Sequence, residues 1–190
     1  MAQRSQWRAR RQPELSGRRV VFVDETGANL RMARRYGRAR RGRRAVGRIP
    51  KNYGAGISII GAMDESGLIA SLSFRGAMDT AALLKFLTEI LLPVLQAGDC
   101  VVWDNLSVHK TRAVQAEFER AGVEIVFLPP YSPDLNPIEM CWSKMKTFLR
   151  RIAARSYELL DEAISAAIKQ ITASDARNWI RHCGYVSQLL

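Results

Sequence analysis

Cysteine is scarce in this 190-residue chain, and the three it has, Cys100, Cys141 and Cys183, are odd in number and far apart. None belongs to a CxxC, so the pattern fits neither a disulfide framework nor a structural zinc site. His182 and Cys183 are adjacent but find no second pair to complete four ligands. Long apolar runs are missing as well. Nothing approaches the roughly 20 residues that span a bilayer, so no membrane partner is expected. No apolar stretch follows the basic N-terminus, which excludes a secretory signal there. These absences point to a reducing, cytoplasmic compartment.

Acid is also in short supply. The chain carries 29 Lys+Arg against 18 Asp+Glu, for a formal net charge of +11. Residues 1–51 hold 16 of those bases and only three acids, Glu14, Asp24 and Glu25, while the remainder is slightly acidic. Charge concentrated in this way is the footprint of a polyanion binder, with nucleic acid the leading partner. Ribosomal RNA and anionic membrane surfaces attract the same charge. The densest run contains Arg31, Arg34, Arg35, Arg38, Arg40, Arg41, Arg43, Arg44 and Arg48, all candidates for phosphate contact.

What the chain does have is a normal globular share of apolar residues, 47%, enough for the core of one domain. Residues 19–24 (RVVFVD) and 99–104 (DCVVWD) are short β-branched runs that read as buried strands, each ending in an acid. Residues 53–63 and 68–74 flank a polar, glycine-containing turn and read as an antiparallel hairpin. Asp79 caps an apolar-periodic helix, residues 111–122 form a helix closed by glycine, and residues 123–128 form another strand. Helices are expected over 137–154, 157–172 and 174–185. The arginine-rich stretch 26–51 reads as a loop, with a short strand near residues 32–36.

This order predicts an α/β fold: a mixed sheet flanked by helices, with a hairpin in front and βαβ crossovers behind. Residues 1–18 are expected to be a basic flexible arm, 19–154 the main domain, and 155–190 a C-terminal helical extension.

Three acids fall where such a sheet gathers ligands, beyond the carboxyl ends of its strands. Asp24 and Asp104 end two strands, and Glu139 lies in the first turn of the helix after a third. Gathered carboxylates repel, and a divalent cation relieves that repulsion. Each acid also has a plainer reading. Asp24 could be a turn residue, and Asp104-Asn105 an Asx turn. Asn136, Pro137 and Glu139 stand as N-cap, N1 and N3 of a capping box. Four prolines crowd the nine residues 129–137 just before this helix. Its apolar stripe runs through Ile138, Cys141, Trp142, Met145, Leu149 and Ile152, with Lys146 and Arg150 sharing the side of Glu139. That arrangement suits a helix lying near a phosphate backbone.

VVFVDETG, VVWDNLSVHK and LPPYSPDLNPIEMCWSKMK resemble the three signature blocks of DDE transposases of the mariner-like superfamily, specifically its bacterial insertion-sequence branch. The 34 residues between Asp104 and Glu139 agree with that branch. The resemblance spans residues 19–150. It implies a ribonuclease-H-like fold in which Asp24, Asp104 and Glu139 hold two Mg2+ or Mn2+ ions. It implies hydrolysis of DNA at transposon ends and transfer of the freed 3′-hydroxyl into target DNA, commonly at TA, by a homodimer, in a bacterial cytoplasm with the protein on the nucleoid when bound. Asn105, His109, Lys110 and Asn136 fall on motif positions and are expected to support the acids or touch DNA. Full-length relatives carry helix-turn-helix domains upstream, and some 18 residues precede the first strand here. A helix-turn-helix partner polypeptide from an upstream frame is therefore expected. Two further readings stay open: a catalytically silent nucleic-acid-binding remnant, and a cellular nuclease of the same fold.

Overall fold

β-Branched and aromatic side chains at alternating positions build a five-stranded mixed sheet. Its strands are β1 (Val20–Ala28), β2 (Ile57–Asp64), β3 (Gly67–Arg75), β4 (Cys100–Trp103) and β5 (Glu124–Phe127). Their order is β3-β2-β1-β4-β5, with β1, β2 and β3 antiparallel and β1, β4 and β5 parallel. The computed structural model describes residues 2–186.

Alternation along the strands gives the sheet two buried faces. Val21, Val23, Val101 and Trp103 pack against α3 (Thr80–Lys85, continuing through Phe86–Leu91) and α4 (Arg112–Arg120). Phe22, Met63, Val102 and Val126 meet α5 (Ile138–Ile152), α6 (Tyr157–Ile168) and α7 (Ala173–His182). Leu160, Ile164, Ala176 and Ile180 of the last two helices are buried in the same cluster as α5. Among the described residues, no helix is long and apolar enough to cross a membrane.

Local signals place these helices well. Asp79 caps α3 by accepting from Ala82 N at 2.8 Å. Thr172 and Asp175 form a reciprocal capping box at α7. α5 ends where Ala153 turns left-handed at φ 54°.

The N-terminus departs from the expected flexible arm. Residues 2–14 are helical, through α1 (Ala2–Gln6), a wider turn over Trp7–Arg11, and α2 (Gln12–Glu14). Trp7 and Leu15 are buried, and the Trp7 ring meets Tyr185 edge-on at 5.9 Å. The dense positive charge obscured this packing, because it is spent on distant acids. Arg4 and Arg8 pair with Asp134, Arg11 and Arg18 with Glu124, and Arg19 with Asp64 and Asp99.

No strand forms near residues 32–36. Residues 29–56 have no regular structure beyond turns, since they offer no alternating apolar face to a sheet. The two ends of this loop are nevertheless anchored. Arg155 donates to the carbonyls of Leu30 (2.8 Å) and Met32 (3.0 Å), and the Tyr157 hydroxyl donates to that of Ala55 (2.8 Å).

Candidate active site

Parallel pairing sets the first two acids side by side. Val20 lies opposite Cys100 and Phe22 opposite Val102, where the parallel pairing ends; Asp24 follows two residues on, in the middle of β1 rather than at the expected strand end because β1 runs on against β2, and Asp104 stands one residue past the end of β4. Period-two alternation therefore puts both on the face of Phe22 and Val102, the face that α5 crosses. Glu139, exposed in the first turn of α5, lines the same cleft of about 400 Å³ with Asp24, Asp104, Asn105, Tyr131 and Asn136. The three acids are thus gathered. Asn105 and Asn136 join them.

Asp24 is held from the side. The indole Nε1 of Trp142, one helical turn along α5, donates to its Oδ2 at 2.9 Å. Gly61 pairs with Asp24 across β1 and β2, and its missing side chain makes room for that indole. A Cβ there would come within 2.7 Å of Trp142 Cη2. Burial, then the charge of Glu139, then those of Glu25 and Asp104 push Asp24 up to about 8.

Asp104 is held from the opposite side of the sheet. Its Oδ1 lies 2.6 Å from His109 Nδ1, close enough to pair in charge but poorly aligned for a hydrogen bond. His109 Nε2 contacts Glu25 Oε1 at 3.0 Å, and its ring stacks on Trp103 at 4.0 Å. Burial pulls the imidazole down, yet Asp104 and Glu25 outweigh burial and push it up to about 9. The Asx-turn reading of Asp104 also holds, since its Oδ1 accepts from Leu106 N at 3.4 Å.

At Glu139 the capping-box expectation fails. Pro137 occupies the N-cap, no side chain caps the helix, and Asn136 contributes only its backbone carbonyl, which accepts from Glu139 N at 3.2 Å. Proline's fixed φ starts the helix without a side-chain cap. The Glu139 carboxylate is therefore left to the cleft. The donor set there is all hard oxygen, which suits Mg2+, Mn2+ or Ca2+ rather than zinc. Asn105 Oδ1 and Asn136 Oδ1 are buried with no hydrogen-bond partner and supply two more such oxygens. Among the described residues, no three His, Cys, Asp or Glu side chains close to the spacing of an ion's ligands. The three carboxylates line one cleft, and the charges of Glu139 and Asp104 both act on Asp24.

The basic candidates divide. Arg34, Arg35, Lys144, Arg150 and Arg151 line a second groove, of about 580 Å³, beside α5. Burial first, and then the charge of Arg35, lower the Arg150 guanidinium below its usual range. Arg38, Arg40, Arg41, Arg43, Arg44 and Arg48 are exposed along the loop, and Arg31 lies over the Tyr53 ring. Lys146 is half-buried outside that groove, and Lys110 sits over the Phe127 ring, outside the acidic cleft. Sequence reasoning missed Glu25, Gly61 and the polar role of Trp142. An indole within an apolar stripe gives no sign of where its N–H points.

Strand order and the acidic cleft together define the class, a ribonuclease-H-like domain with carboxylates just beyond the point where two central strands end their parallel pairing. Residues 19–161 match the family of DDE superfamily endonucleases, and the chain belongs to it. The Tcb1 transposase of Caenorhabditis briggsae is 26% identical over 125 residues, which cover 64% of this chain and 46% of that protein. The chain thus spans about half the length of this relative. A pre-cleavage Mos1 transpososome superposes with a TM-score of 0.78 at 19% identity, covering 96% of this chain and 57% of that one. The Mos1 mariner paired end complex with Mn gives 0.77 at 21% identity, over 96% and 57%. The catalytic domain of Mos1 mariner transposase gives 0.66 at 16% identity, over 96% and 85%.

Proposed function

We propose that this chain is the catalytic domain of a mariner-like transposase of the bacterial insertion-sequence branch, cutting DNA at transposon ends and joining the freed 3′-hydroxyl to target DNA. The observation that carries this reading is the cleft shared by Asp24, Asp104 and Glu139 beside an arginine-lined groove. In the proposed site these three acids hold two divalent cations, Mg2+ or Mn2+. Bound there, such ions activate the attacking hydroxyl and stabilise the leaving oxygen of a phosphodiester. Trp142 orients Asp24, and His109 orients Asp104. The buried, unpartnered oxygens of Asn105 and Asn136 would extend the hard-oxygen ligand set of such ions. Arg34, Arg35 and Arg150 hold the DNA backbone by charge.

The name of the Tcb1 relative and the paired end complexes of Mos1 support transposon ends as substrate and a homodimer as the working assembly. The 34-residue spacing of Asp104 and Glu139 supports the bacterial branch. We further propose a helix-turn-helix partner segment that reads the ends, and a cytoplasmic, nucleoid-bound protein. The test incubates the chain, alone and fused to a helix-turn-helix segment from the upstream frame, with transposon-end DNA and Mg2+ or Mn2+. Cleavage that disappears in Asp104→Asn supports the reading. Binding by both proteins with no cutting by either form supports the second reading, a silent nucleic-acid-binding remnant.

A further inference from the structure

The proline segment carries a feature that the acid-holding role does not use. Tyr131 is 96% exposed, the most exposed large hydrophobic side chain among the described residues. Its backbone is left-handed at φ 53°, a conformation that glycine or asparagine adopts far more readily than an aromatic residue. Among the described residues Ala153 is the other non-glycine at positive φ, and it terminates a helix; Tyr131 lies in the turn that follows β5 and ends no helix. Pro129 and Pro130 precede it, Ser132 and Pro133 follow, and the Ser132 hydroxyl donates to the Pro130 carbonyl at 3.2 Å around it. The segment therefore spends its rigidity on holding an aromatic ring out into solvent, which opposes the hydrophobic effect. That ring stands on the lining of the cleft that holds Asp24, Asp104 and Glu139. Leu106, 49% exposed just past the end of β4, lines the same cleft.

An exposed flat ring beside carboxylates that engage a phosphodiester has one partner of matching chemistry, the face of a nucleobase released from its pair. We propose that Tyr131 stacks on an unpaired base next to the scissile phosphodiester, so that the cleft receives DNA opened at that point, with Leu106 filling the space left by the lost pair. This rests on the reading of the chain as a DNA-cutting domain. The prolines preset the ring's position, which limits the ordering cost on binding. The arginine groove supplies affinity that is indifferent to pairing, whereas Tyr131 supplies preference for an opened end.

The test measures binding of the whole chain, in Ca2+ at low salt, to two DNA probes of the same sequence: a fully paired 20-base-pair duplex and one ending in a two-nucleotide fork. Wild type is expected to prefer the fork by about ten-fold, within the range of single-base stacking on an aromatic residue. Tyr131→Ala should lose that preference and keep its affinity for the paired duplex; Tyr131→Phe should retain both. Retained fork preference in Tyr131→Ala overturns the proposal, as does equal binding of both probes by wild type. Tyr131→Asn, suited to the left-handed backbone, controls for loop distortion. Fork preference in Tyr131→Asn equal to wild type also counts against the ring. Cleavage is scored separately. A wild type that prefers the fork yet cuts nothing overturns the transposase reading and leaves the stacking role standing.

Discussion

Trp142 Nε1 donates to Asp24 Oδ2 across 2.9 Å, tying residues 118 positions apart in sequence. Helix α5 thereby carries an acid of the site in its first turn and, one turn later, the donor that fixes another acid on β1. Metal ligands are commonly oriented by such second partners, whose loss costs about 10- to 100-fold in metal affinity. Trp142→Phe is accordingly expected to weaken Mn2+ binding about ten-fold while the fold persists, as read by calorimetry and circular dichroism. Unchanged Mn2+ affinity would show that the indole only packs. Gly61→Ala should act through the same indole, because its Cβ would fall 2.7 Å from Trp142 Cη2. Repacking of this kind typically costs about 1–3 kcal/mol.

His109 gives the metal-free protein a pH-dependent stability. Its pKa rises from an ordinary 6.5 to about 9, with burial opposing and the contacts to Asp104 and Glu25 prevailing. A raised folded-state pKa means the charged imidazole favours the native state below the unfolded value. The contribution, on the order of 1–3 kcal/mol, is complete below about pH 6.5 and disappears as pH climbs through 9. Urea unfolding between pH 6 and 10 should show a steeper decline in wild type than in His109→Gln, in which the titration of Asp24 near 8 still acts. Parallel curves for the two proteins would refute the linkage.

The N-terminal helix offers a comparison of burial with surface charge. Arg4 and Arg8 reach Asp134, whose carboxylate is 43% exposed, and pairs of that kind contribute about 0–1 kcal/mol. Trp7 is buried against Tyr185, and truncating such a residue costs about 3–5 kcal/mol. Asp134→Ala should therefore shift the denaturation midpoint little, and Trp7→Ala strongly. The reverse order would mean that the arginines hold the helix down.

Arg34, Arg35 and Arg150 border one groove, and under the proposed function each phosphate they neutralise releases a counterion from DNA. Replacing all three by alanine should reduce the slope of log K against log salt by about 2–3, at roughly 0.9 per contact. Fluorescence anisotropy on a duplex at several salt concentrations measures this. A slope identical to wild type would place the DNA elsewhere.

Much of this was legible in the chain. Strands and helices announced themselves by period and by capping residues such as Asp79, because those signals arise within a few residues of one another. Asp104 and Glu139 could be marked as strand-end and helix-start acids for the same reason, whereas Asp24, read as a strand end, lies mid-β1 because pairing with β2 carries that strand on to Ala28. At Glu139 local pattern by itself favours a capping box over a cleft residue. The fold chose the cleft, with Pro137 at the N-cap and no side chain closing the helix end.

By itself, the sequence of LPPYSPDLNPIEMCW determined a rigid approach to a helix bearing Glu139 in its first turn, since proline fixes its own φ wherever it stands. Only the tertiary structure decided what that rigidity serves. The parallel register of β1 and β4 sets Asp24 beside Asp104, Gly61 leaves room for Trp142, and Tyr131 is held in solvent at the cleft they share. Those are long-range relations between surfaces, and no local preference of the chain encodes them.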